Sequence, residues 1–171
     1  VNPGAIEVSD NGIDDDCNGF VDDVPDAYEP NDSLVTAANI GTTSEDDVTP
    51  IQINANMHVT SDEDWYTAQV SEEDSSLDPN DLEIVVSLSN IPVGSDYDLF
   101  VSCTGPGDCV VTVDNTLKSG NTDESITIVA DDEQTGGIAH GSDDSTGLRI
   151  EVRNVSNTAS ANEYTLNITV T

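Results

Sequence analysis

Basic residues are almost missing from this chain. Of 171 residues, 3 are Lys or Arg (Lys118, Arg149 and Arg153) against 35 Asp and Glu, a formal charge of −32. So few cations cannot neutralise a phosphate backbone. Nucleic-acid binding and a polybasic membrane contact are therefore excluded. The acids also lack internal counter-ions, so they must be spread in water, screened by salt or paired with bound cations. Aromatics make up 4% of the chain, and the histidines are His58 and His140. No apolar run approaches the ~18 residues of a membrane helix, so no membrane insertion is expected. No G-x-S-x-G elbow and no H-E-x-x-H motif occurs. His140, beside Asp143 and Asp144 in a Gly-rich turn, has nothing to orient it. The chain reads as no enzyme. It shows no signal peptide and opens without Met, which suits a processed form or an excised fragment.

A hydrophobic content of 35%, rich in Val and Ile, opposes disorder. It falls in short alternating runs, the pattern of half-buried strands. Candidate strands are 51–53, 56–59, 64–70, 82–88, 97–102, 110–113, 125–129, 148–152 and 164–170. Ile84, Val86 and Leu88 share one face. Leu148, Ile150 and Val152 share another, leaving Arg149, Glu151 and Arg153 to water. Turn chemistry separates the runs at 79–81, 94–96, 120–121 and 136–137. A single short helical turn is expected from Pro30 to Ala38. This pattern predicts an all-β sandwich over residues 26–171. Residues 1–25 form an acidic loop and linker with too few apolar anchors for a core of their own.

Three cysteines are present. Cys103 and Cys109 bracket a Gly/Pro turn between two strands and are expected to form a disulfide, which suits a secreted protein. Cys17 is left over, with no histidine or second cysteine near it to build a zinc site or a thiol nucleophile.

The loop Asp14-Asp15-Asp16-Cys17-Asn18-Gly19-Phe20-Val21-Asp22 has the spacing of an oxygen-donor wrap. Asp14, Asp16 and Asn18 stand at positions 1, 3 and 5, and Gly19 at the sharp turn. The Phe20 carbonyl stands at position 7 and Asp22 at position 9. This spacing predicts calcium. Position 12 is Pro25 where a bidentate Glu is usual, so no ordinary EF-hand is expected.

Residues 2–22 around this loop resemble the metal-binding-motif repeats of secreted bacterial surface proteins. Ser9 stands where that family normally has a cysteine paired with the one matching Cys17. The remainder resembles a bacterial pre-peptidase C-terminal domain. Three blocks carry the likeness: Asp26-Ala27-Tyr28-Glu29-Pro30-Asn31-Asp32-Ser33, Ser61-Asp62-Glu63-Asp64-Trp65-Tyr66 and Asp96-Tyr97-Asp98-Leu99-Phe100-Val101. Leu148 departs from it, standing where an aromatic is common. The resemblance implies a jelly-roll-like β-sandwich beside the catalytic domain of an extracellular enzyme. Related domains in collagenases bind calcium and collagen, which implies a calcium site from Glu29, Asn31, Asp32, Asp62 and Asp64. Asp62 and Asp64, two apart on an extended strand, point one way.

The resulting expectation is a non-catalytic, calcium-stabilised accessory module, secreted or at the cell surface, attached to a parent extracellular enzyme or surface protein. The alternatives are a module that binds a polysaccharide or an extracellular protein such as collagen, or a spacer in an adhesin. Trp65 and Tyr66 alternate faces, and a sugar platform would recruit Tyr28, Tyr97 or Tyr164 beside Trp65. Asn31, Asn154 and Asn167 match the glycosylation pattern. The excess of acid suits high ionic strength, as in a marine or salt-loving source.

Overall fold

The computed structural model describes residues 2–8, 11–47, 49–72, 82–104, 109–130 and 145–171. These residues carry nine strands: β1 (Ala38–Ser44), β2 (Ile51–Ala55), β3 (Glu63–Ser71), β4 (Leu82–Ser89), β5 (Tyr97–Thr104), β6 (Cys109–Asn115), β7 (Glu124–Ala130), β8 (Thr146–Asn154) and β9 (Tyr164–Val170). They form a four-stranded sheet in the order β1-β3-β8-β5 and a five-stranded sheet in the order β2-β9-β4-β7-β6. The β1/β3 pair is parallel and the other pairs are antiparallel.

The two sheets pack as a β-sandwich because their strands alternate. In β4, Leu82, Ile84, Val86 and Leu88 turn inward and are buried. They meet Ile126 and Ile128 of β7 and Leu166 and Ile168 of β9 in the same sheet, with Tyr66, Leu99, Leu148, Ile150 and Val152 among the buried side chains of the opposite sheet. Each such side chain contributes roughly 1.5–3 kcal/mol on burial. The charged residues that alternate with them on β8, Arg149 and Arg153, are exposed.

One local expectation is corrected. Residues 56–59 form no strand. Their backbone donors are captured by side chains: Asn56 N–H donates to Asp26 Oδ2 at 2.9 Å and His58 N–H to Asp62 Oδ2 at 2.9 Å. Met57, between them, is fully buried. The single turn expected between Pro30 and Ala38 is present. In it Thr36 N–H donates to the Ser33 carbonyl at 2.9 Å, and it leads into β1. The expected turns at 79–81 and 136–137, and His140, lie outside the described residues.

The Cys103–Cys109 disulfide is formed, with a Cα–Cα distance of 6.2 Å. It joins the end of β5 in one sheet to the start of β6 in the other. Cys17 is free and exposed. Closing so short a loop is worth about 2 kcal/mol in the unfolded chain. We expect the Cys103→Ser/Cys109→Ser double variant to melt roughly 4–8 °C lower. A calorimetric midpoint equal to that of the parent would refute a stabilising role for this staple.

Candidate metal centres

Two groups of metal-ligating side chains converge among the described residues. The first lies in the N-terminal loop, where carboxylate oxygens of Glu7, Asp14 and Asp16 fall within 4.8 Å of one another. The loop is built by side chains that tie down backbone amides. Asp14 accepts from Asn18 N–H (3.1 Å) and Gly19 N–H (3.0 Å), and Asp16 accepts from Asn18 N–H (2.9 Å). Gly19 has φ 100°, a left-handed value that suits glycine at the tight turn. Glu7 reaches across the loop. Its Oε2 accepts from Asp15 N–H (2.9 Å) and Asp16 N–H (3.2 Å), and its Oε1 from Asp22 N–H (3.0 Å).

Not every residue of the 1, 3, 5, 7, 9 spacing faces this point. Asn18 Oδ1 accepts from Phe20 N–H at 2.8 Å, and Asn18 Nδ2 donates to Asp23 Oδ2 at 2.9 Å. Asp22 turns to the amides of Asn11 (2.9 Å) and Gly12 (3.1 Å). Glu7 takes part instead. No spacing rule reports it, since it sits well upstream of the acid run and arrives by the chain folding back. Asn2 N–H donates to the Asp15 carbonyl at 2.9 Å in that return.

The second group joins the segment before β1 to the start of β3. His58 Nδ1 lies 2.7 Å from Asp62 Oδ2 and 3.2 Å from Glu29 Oε1. Beside them Asn31 and Asp64 are completely buried. Asp64 points into the core from β3 and accepts a 2.5 Å hydrogen bond from the Tyr164 hydroxyl, itself 2.7 Å from the Tyr66 hydroxyl. Asp62 Oδ1, Asp64 Oδ1 and both polar atoms of the Asn31 amide are buried without a hydrogen-bond partner among the described residues. Orphaned buried oxygens are costly, and a cation satisfies several at once. Asp32 is exposed at the rim, close enough for its charge to raise the pKa of both Glu29 and Asp62. His58 was not expected in this set. Its only trace in the sequence is its place four residues before Asp62.

Burial governs the electrostatics of this second group. Desolvation pushes Asp64 up to about 8. The Tyr164 hydroxyl works against that shift, and the charges of Asp62, Asp26 and Glu29 add to it. Glu29 is pushed up to about 6, again chiefly by burial. Asp62 is raised by burial and drawn back by His58. Without a cation, Asp64 holds its proton at neutral pH.

The N-terminal loop is similar to a known family. Residues 1–23 match the family described as "Putative metal-binding motif" (Cu-binding MopE). The likeness of residues 26–171 to pre-peptidase C-terminal domains finds no matching family model. No curated protein and no solved structure matches the chain significantly.

Calcium, expected from the oxygen spacing, is therefore corrected. The matched motif is named for copper. The second cluster also carries an imidazole nitrogen among its carboxylates. Imidazole suits copper, zinc or nickel, whereas calcium takes oxygen ligands.

Two of the glycosylation matches are closed by the fold, since Asn31 and Asn154 are buried.

Proposed function

We propose that this chain is a non-catalytic, metal-associated accessory module of a secreted or cell-surface protein. Residues 1–25 form a metal-binding loop and residues 26–171 a jelly-roll-like sandwich of the pre-peptidase C-terminal kind. Copper is the ion. The observation that carries this reading is the convergence of Glu7, Asp14 and Asp16 within a segment that matches a metal-binding motif. Copper(II) heads the affinity order of divalent first-row ions for nitrogen and oxygen sites.

The chain's own residues do the binding. Glu7, Asp14 and Asp16 hold one ion. Glu29, His58 and Asp62 hold another, with Asn31, Asp32 and Asp64 around it. The second ion ties the segment before β1 to β3, and so fixes the N-terminal loop to the sandwich. Asn56 supports the same junction by donating to the Val24 carbonyl at 3.0 Å. Binding to the folded chain alone stabilises it by linkage and shields the exposed linker from proteases. The parent of such a module is an extracellular enzyme or a surface protein.

Equilibrium dialysis against buffered copper(II) tests the reading. Two ions per chain are expected. Glu7→Gln should remove one and His58→Gln the other. Retention of no copper, or a count unchanged in both variants, overturns it.

A further inference from the structure

The outer face of the four-stranded sheet gathers what the rest of the surface lacks. Two of the chain's three basic residues, Arg149 and Arg153, project from β8, a strand with a neighbour on either side. Glu151 stands between them, in one cross-strand row with Trp65 of β3 and Phe100 of β5. Arg149 lies one row along, paired with Ser102. Trp65, Phe100, Ser102, Arg149 and Glu151 line a shallow hollow of about 90 Å³.

The two arginines are used differently. Arg153 is committed, with Nη2 2.6 Å and Nε 2.8 Å from Glu151 Oε1 and its guanidinium 4.5 Å from the Phe100 ring centre. Glu151 is buried in making that pair. The remaining acids of the face, Glu63 and Asp98, sit in the row of Arg153. Arg149 is exposed and has no ion pair or hydrogen bond with any described residue, in a chain with 35 acids. Glu151, two residues along the strand, is paired with Arg153. A free guanidinium beside an indole and a hydroxyl is equipped for a small ring that bears a carboxylate.

We propose that this hollow binds one uronate residue of an acidic polysaccharide. The pyranose ring lies on Trp65, its carboxylate pairs with Arg149, and Ser102 meets a ring hydroxyl. Among the described residues of this face, Arg149 is the one cation without an acid partner, which suits contact with a single carboxylate at a time. The Tyr28, Tyr97 and Tyr164 rings expected beside Trp65 do not take part. Tyr97 and Tyr164 are buried in the core, and Tyr28 packs edge-on against Tyr66 with ring centres 5.7 Å apart. Phe100 takes that place. Trp65 adjoins the second metal centre through the backbone, its N–H donating to the Asn31 carbonyl at 2.9 Å, so the site is tested with metal removed.

Trp65 is the only tryptophan, so its fluorescence reports this face alone. The full chain, in chelator and moderate salt, is titrated with tetragalacturonate, with its methyl ester and with a tetraglutamate peptide. Saturable quenching or enhancement by tetragalacturonate is expected. Arg149→Gln and the methyl ester should each weaken binding about tenfold, and Arg149→Lys less. Three results overturn the proposal: no saturable change, binding unaffected in Arg149→Gln, or equal binding of the tetraglutamate peptide. The last would assign the face to acidic peptide. Circular dichroism of each exposed-arginine variant confirms that it is folded.

Discussion

Raising the pH from 5 to 8 lowers the stability of the metal-free protein by roughly 4 kcal/mol. The cause is Asp64, whose folded-state pKa is about 8 because it is buried. The unfolded chain releases this proton near pH 4, while the folded chain keeps it until about pH 8. Across that window the folded state binds more protons, so each step upward in pH favours unfolding. Below the window both states are protonated, and above it both are ionised. Glu29, pushed up to about 6, adds in the same direction over a narrower range. Melting midpoints of chelator-treated protein should fall by about 10 °C between these pH values. Asp64→Asn should flatten the slope and raise the midpoint at pH 8. High salt separates this effect from general acid repulsion, which it screens, while the buried group is screened far less. A flat profile at high salt would show that Asp64 ionises freely in the fold.

Copper(II) at pH 8 reverses that loss. At a hundredfold excess over the dissociation constant, each site contributes about 2.7 kcal/mol, or roughly 5–10 °C in a chain of this length. Protons compete with the ion for Glu29, whose pKa is pushed up to about 6, so binding at this centre weakens toward pH 5. In His58→Gln the rise should be about halved, and the remaining rise should be lost on adding Glu7→Gln. The double variant is the sharper test, because each single change leaves the other cluster intact. An undiminished rise in the double variant would place the copper elsewhere.

The sandwich was legible wherever strands alternate cleanly. Ile84, Val86 and Leu88, and Leu148, Ile150 and Val152, fall on inner faces as their spacing predicts. β1 was not legible. Its residues Ala38–Ser44 include one large apolar side chain, Ile40, and it pairs along one edge with β3 only. Residues 56–59 alternate like a strand, yet tertiary side chains take their amides. In the loop, the spacing brought Asp14 and Asp16 together but could not show Asp22 turning to Asn11 and Gly12. Glu7 and His58 enter their clusters through chain reversal, and no local pattern encodes that. Calcium was read from the oxygen spacing alone, whereas the matched motif is named for copper.

The central claim is two copper centres of different donor type in one chain. Electron paramagnetic resonance of the copper(II)-loaded, desalted protein tests it most directly. The account predicts two overlapping signals, one with nitrogen superhyperfine splitting that disappears in His58→Gln, and one with oxygen donors alone that disappears in Glu7→Gln. A single signal without nitrogen splitting, or no bound copper after desalting, would contradict it.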